Sequence, residues 1–377
     1  MNIKFEKKNV VYVLYQIDKA PAFEWIIDSL DKNKFNLTFI LLGVDSGTYI
    51  ENYCINKNIS YYRVDYYGKK DVVKCIIKFY KLFLKIKPDI VHTHLFEACL
   101  IGLTAAKLLG IKKRIYTRHH STYHHVYFPK AVKYDKYINS LATDIVAISE
   151  VVKDVLIDKE NVPPNKISLI HHGFNLSVFE NTDIQLVSQM RLKYNARKQR
   201  PVIGVISRYI HWKGIEYAID AFERLLHQFP DALLILANAR GQYKEAIQKK
   251  LNTIPKDNFI EIPFEIHVEA LYRLFDIYIH IPIDKDAEAF GQTYVESLAC
   301  GIPMVATLSG VANEFLVDKK NALVVPYKDA DSVYNAIIEI LNNPVLREQL
   351  IENGKRDVSQ LFSLNLMIEK LTALYLK

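Results

Sequence analysis

Two carboxylates, Glu288 and Glu296, stand eight positions apart in the stretch 284–314, DKDAEAFGQTYVESLACGIPMVATLSGVANE. Between them Phe290, Gly291, Gln292 and Thr293 lead into an apolar-periodic run, Tyr294, Val295, Leu298 and Ala299, which reads as a helix stopped by Gly301 and Pro303. A helix that starts just beyond a strand turns free backbone N–H groups and a positive dipole end toward whatever lies there, and a phosphate fits that position. Glu296, inside the helix, is placed to accept hydrogen bonds from sugar hydroxyls. Glu288, in the loop, is placed to face developing positive charge or a hydroxyl proton. Upstream, Arg208 offers a planar fork for phosphate oxygens and Lys213 a mobile point charge. Taken alone, these residues read more readily as solvated loop and surface charges than as a site.

The elements that must position them alternate. β-Branched and aromatic runs at 10–17, 36–42, 90–93, 114–117 and 144–148 predict strands, separated by helical patterns at 23–30, 72–84 and 96–109, with Ser149 capping a helix to about 157. After a polar stretch, strands are expected at 201–207, 232–237, 259–264, 277–281, 304–307 and 322–325, and helices at 215–226, 331–341, 345–353 and 364–376. Strands alternating with helices of ten or more residues imply right-handed crossovers and a parallel sheet. The chain's 377 residues suggest two domains.

The letters EAFGQTYVESLACGIPMVAT resemble the signature of glycosyltransferase family 4: a Glu, seven residues, a second Glu, Phe-Gly after the first, and a small-residue-Cys-Gly-x-Pro run after the second. Arg208 with Lys213-Gly214 is similar to the family's Arg-x-x-x-x-Lys-Gly element, and NKISLIHHGFNLSVF to the usual close of its first domain. The resemblance is dense over 203–326 and looser over 89–179; where the family has a Gly-rich loop after the first strand, this chain has QIDKAPAFEW.

The resemblance implies the α/β GT-B fold, two doubly wound Rossmann-like domains facing each other across a cleft. The bounds would be an acceptor-binding domain over 1–180, a linker over 181–200, a nucleotide-sugar-binding domain over 201–355, and a helical segment over 356–377 crossing back to the first domain. It implies a retaining transfer of a sugar from a nucleoside diphosphate sugar to a saccharide or lipid-linked saccharide acceptor in bacterial surface polysaccharide synthesis. Glu288 and His119, with His120 the next match to the family's His, would act at the donor sugar. Arg208, Lys213 and the backbone of Phe290, Gly291, Gln292 and Thr293 would hold the diphosphate, and Glu296 the ribose. No metal and no cofactor beyond the donor is expected, and no nucleic acid. A sugar-nucleotide 2-epimerase and a catalytically silent partner of an active transferase are the alternatives; the divergent loop 16–25 favours the second.

Histidines crowd the first half: His92, His94, His119, His120, His124, His125, His171 and His172. His92-x-His94 has the spacing of one strand face but no carboxylate or Cys partner nearby in sequence, so a metal is not expected there. The four cysteines are scattered, which fits reduced core thiols. The formal charge of +7 is uneven: residues 1–180 carry 26 Lys and Arg against 18 Asp and Glu, and the remainder 23 against 24. That surplus predicts an anionic partner for the first half, phosphate or a membrane surface. No apolar run approaches the ~20 residues of a membrane span, and charges interrupt the N-terminus where a secretion signal needs an apolar core. The expectation is a cytoplasmic protein, peripheral on the inner face of the membrane.

Overall fold

The computed structural model describes residues 7–377. They form two compact units, one of residues up to Phe174 together with Leu364–Lys377, the other of Asn175–Ser363. The first holds a parallel sheet of strands β1 (Lys8–Tyr15), β2 (Phe35–Leu42), β3 (Ser60–Val64), β4 (Ile90–His94), β5 (Lys113–Arg118), β6 (Asp144–Ala147) and β7 (Ile167–Leu169), in the order 3-2-1-4-5-6-7. The second holds β8 (Val202–Ile206), β9 (Leu233–Ala237), β10 (Phe259–Ile262), β11 (Ile277–His280), β12 (Met304–Ala306) and β13 (Leu323–Val324), in the order 10-9-8-11-12-13. Both are doubly wound, Rossmann-like sheets, so the expected fold class holds.

The physical reason is visible in β1. Helices cover both faces of a doubly wound sheet, so a central strand must be apolar throughout, and Val10 to Leu14 are at most 1 % exposed. Alternate residues then serve different cores. Val10, Tyr12 and Leu14 pack with Phe39 and with Met367, Leu371 and Tyr375 of the helix Leu364–Leu376, while Val11 and Val13 pack with Phe79, Phe83 and Ala98. In each sheet the order reverses once, between β1 and β4 and between β8 and β11. Loops leaving the carboxyl ends of those neighbours splay apart, and the crevice between them is where open α/β sheets bind ligands.

Several expected boundaries are corrected. The segment 181–200 is no linker: it carries the helix Ile184–Tyr194, capped by the Asp183 side chain accepting from the Gln185 N–H and anchored by buried Val187 and Met190. The second unit accordingly begins at Asn175, before the expected 201. Its last helix, Pro344–Phe362, runs well past 353, and only the residues from Leu364 onward belong to the first unit, in place of 356–377. The helix Tyr49–Asn56 and strand β3 were not anticipated. The helix after Ser149 is capped as expected, the hydroxyl accepting from Val152 N–H, and its continuation Val155–Lys159 is a π-helical turn.

Candidate functional site

Strands β8 and β11 pair side by side. Beyond β8 the chain passes Arg208 and the 3₁₀ turn His211–Lys213 into the helix Ile215–Leu226; beyond β11 it loops through Glu288 to the helix Gln292–Ala299. Both loops therefore leave the carboxyl ends of the two strands that flank the second unit's switch point.

There the Lys213 ammonium donates to Glu288 Oε1, and His280 Nε2 lies 3.1 Å from the same oxygen. The Glu288 backbone N–H donates to Ser309 Oγ at 3.1 Å, fixing the loop from the far side. Glu288 is only 8 % exposed. Burial by itself would raise its carboxyl, but Lys213 and then His280 outweigh that and hold it well below the usual carboxylate range. It is an anion at neutral pH and cannot serve as a proton donor. Burial lowers the His280 imidazole despite that carboxylate. A neutral ring places its proton on Nε2 toward Glu288 and leaves Nδ1, 3.4 Å from Thr293 Oγ1, to accept from that hydroxyl.

Gly291 sits at φ +87°, a conformation L side chains rarely adopt, and a Cβ there would come within 2.5 Å of the Tyr294 ring. No side chain caps the helix it opens; the Tyr294 N–H donates to the Gly291 carbonyl at 3.1 Å, which leaves the N–H groups of Gln292 and Thr293 to face a ligand. Phe290 is buried edge-on against Phe362, 5.7 Å between ring centroids, so it can offer a ligand only its backbone. Gln292 and Arg208 are exposed, and among the described residues the Arg208 side chain makes no hydrogen bond or ion pair. Glu296, on the same helix, accepts from the Tyr272 hydroxyl at 2.9 Å; burial pushes its carboxyl up to about 7.

The structure thus gathers Glu288, Lys213 and Thr293 around His280, and leaves Glu296 bonded to Tyr272, apart from that cluster's hydrogen bonds. His119 belongs to the first unit, directly after β5. Its Nε2 is 3.1 Å from His94 Nδ1 and its ring stacks on His172 at 5.5 Å. Burial, and the imidazoles of His172, His92 and His120, keep it well below its ordinary value, so it is neutral. His92 is a satisfied core residue, bonded to the Tyr375 hydroxyl at 2.6 Å and to Thr117 Oγ1 at 2.8 Å. Sequence reasoning missed His280, Ser309 and Tyr272. The one available signal was an imidazole ending the otherwise apolar run IYIH.

Chemically, the second unit offers an ammonium, a guanidinium and a helix start to an anion, and two carboxylates in opposite ionisation regimes to hydroxyl groups. Residues 188–357 match the family model described as Glycosyl transferases group 1, and residues 26–178 match that described as Glycosyltransferase Family 4. The chain is 26 % identical over 311 residues to the capsular polysaccharide biosynthesis glycosyltransferase CapM of Staphylococcus aureus, covering 80 % of each. It is 21 % identical over 316 residues to an Escherichia coli UDP-Gal:alpha-D-GlcNAc-diphosphoundecaprenol alpha-1,3-galactosyltransferase, covering 81 % of this chain and 79 % of that one. Among solved structures, HepE of Anabaena in complex with UDP-glucose superposes with a TM-score of 0.81 at 16 % identity over 97 % of this chain and 98 % of that one.

Proposed function

We propose that this chain, which belongs to glycosyltransferase family 4 and has the GT-B fold, moves a sugar from a nucleoside diphosphate sugar to a lipid-linked saccharide with retention of anomeric configuration. The observation that carries this reading is the cluster of Glu288, Lys213 and His280 at the carboxyl ends of β8 and β11, beside an uncapped helix start. Departure of a nucleoside diphosphate builds negative charge. Arg208, Lys213 and the N–H groups from Phe290 to Thr293 would stabilise it in place of a divalent metal, as fixed donors aimed at developing charge do. Lys213 already faces one carboxylate, and a diphosphate gives it a second anionic partner. Glu296 would hold the ribose. Glu288, held ionised, would face the positive charge that grows on the sugar as its bond to the leaving group breaks, and neutral His119 would contact a sugar hydroxyl.

For the acceptor, the relatives named for capsular polysaccharide and for a diphosphoundecaprenol-linked saccharide support a lipid carrier. The first unit supports a membrane surface as partner. Its helix Val72–Ile86 leaves Val73, Ile77 and Leu84 more than half exposed, at spacings of four and seven that share one face, among exposed Lys74, Lys81 and Lys85. A second segment exposes Tyr127, Phe128 and Tyr134 beside Lys130, Lys133 and Lys136. Apolar side chains flanked by lysines suit the anionic inner leaflet, each Lys adding about 1 kcal/mol within a Debye length of about 8 Å. No helix among the described residues is long and apolar enough to cross a membrane.

A thermal-shift and turnover screen against nucleoside diphosphate sugars tests the donor. Binding at about 100 times Kd adds roughly 2.7 kcal/mol, and a panel without a single stabilising donor would refute the reading. Sedimentation with anionic and neutral liposomes tests the surface: salt-sensitive binding to anionic vesicles supports it, and equal, negligible binding to both at low salt overturns it.

A further inference from the structure

The first unit contains a second constellation, beginning one residue on from His119. His120, in the loop after β5, His124, in the short helix Tyr123–Tyr127, and Asp135, in the helix Val132–Leu141, each turn one ligand atom to a common point, all within 4.8 Å of one another. His124 Nδ1 is 2.7 Å and His120 Nε2 3.5 Å from Asp135 Oδ2. Donor atoms around a tetrahedral zinc, at about 2.0 to 2.2 Å from it, stand roughly 3.3 Å apart. Small side-chain rotations would therefore open these three donors around an ion.

The surroundings are built as metal sites are built. The Asp135 side chain is 1 % exposed, and the Arg118 guanidinium backs it at 3.3 Å from Oδ1. The same Arg118 donates from Nε to the His120 carbonyl at 3.0 Å, which fixes the segment that presents the imidazole. Such outer partners orient ligands and set which atom faces the ion. Arg118 also meets Glu160, whose side chain is fully buried and whose Oε1 lies 3.2 Å from His125 Nε2. Asp135 and Glu160 share this one guanidinium, with imidazoles and Asn139 Nδ2 as their other partners, so the pair can take a further counter-charge. A cation on the Asp135 side supplies it. His120 and His124 are 23 % and 12 % exposed, so solvent reaches both imidazoles. Two nitrogens and one oxygen select a zinc-class transition metal over magnesium or calcium, which prefer oxygen sets.

We propose that His120 Nε2, His124 Nδ1 and Asp135 Oδ2 bind one zinc-class divalent ion, which pins the segment between β5 and the helix Val132–Leu141. The inference does not depend on the donor-site reading, because its readout is metal binding. The full-length protein, stripped with a chelator and dialysed, is titrated with Co²⁺ and with Zn²⁺, following the cobalt visible spectrum and the heat of zinc binding. One ion per chain with a tetrahedral or five-coordinate cobalt spectrum is expected, with zinc displacing cobalt. Asp135→Asn also disturbs the Arg118 pair and risks the fold, so the deciding variants are His120→Gln and His124→Gln, on partly exposed rings. Each, if its circular dichroism matches the parent, should weaken zinc at least 10-fold. A parent protein that binds neither metal, or folded variants that bind as the parent does, would overturn the proposal.

Discussion

Glu296→Gln tests the environment of the site by stability alone. An ordinary glutamate titrates near 4.5, and burial among the residues around Glu296 raises this one to about 7. A carboxyl whose value is raised in the folded state keeps its proton there after the unfolded chain has lost it, so the folded protein loses stability as pH climbs from about 4.5 through 7. The loss is complete above 7 and amounts to roughly 3 kcal/mol, at 1.36 kcal/mol per tenfold change in the ionisation constant. Glutamine has nearly the same shape and its carbonyl can still accept from the Tyr272 hydroxyl, but it never ionises. The ligand-free variant should therefore match the parent near pH 4.5 and exceed it at pH 8, by several degrees at about 2 to 4 °C per kcal/mol for a unit of this size. The measurement is a melting series from pH 4.5 to 8 on both proteins without donor. Parallel curves across that range would mean that the carboxyl is not held above its ordinary value, and the argument from burial would fail.

Glu288→Gln should abolish sugar transfer while leaving nucleoside diphosphate affinity nearly intact, as measured by turnover and calorimetry; full turnover would remove Glu288 from the chemistry. Glu296→Ala should weaken every ligand that carries a ribose. Replacing Arg208 or Lys213 should cost the diphosphate about 1.5 to 3 kcal/mol, roughly 10- to 100-fold, and the free nucleoside far less, since each supplies a charge-assisted contact; equal losses on both ligands would place these cations elsewhere. Adding Mg²⁺ or Mn²⁺ to dialysed enzyme should leave turnover unchanged, and a rate that rises with either ion would count against diphosphate binding by side chains and backbone alone.

Strands with strong β-branched content and helices with a clear apolar face were legible in the sequence, because burial on both faces of a sheet leaves a nearly continuous apolar run. Where packing is one-sided or local, the pattern fails. Strand β3, SYYRV, lies at the sheet edge with only Val64 buried, and helix Ile184–Tyr194 buries two residues, so neither was anticipated. The helix expected over 345–353 ends one residue short of Gly354. That residue lies inside Pro344–Phe362 because a Cβ there would come within 2.7 Å of Leu298 Cδ2, so glycine serves close helix packing at that point. The carboxylate pair and the cations were legible through spacing and resemblance. His280 was not, because a contact to Glu288 exists only once β11 and its loop fold back on each other.

The helix Leu364–Leu376 also dictates an order of events during synthesis. Strands β1 to β7 emerge from the ribosome first, yet the face of that sheet lined by Tyr12 and Phe39 waits for Met367, Leu371 and Tyr375, which are translated only after the whole second unit. Until then the hydroxyl of Tyr12 and the ring of His92 lack the Tyr375 partner that satisfies both. The second unit, continuous from Asn175 to Ser363, can close while the first still lacks the part of its apolar cover that Met367, Leu371 and Tyr375 supply. Maturation thus runs against the direction of translation, the earlier-made half being the later to finish, and a nascent chain stalled before Leu364 presents an exposed surface of the kind that chaperones shield and proteases cut.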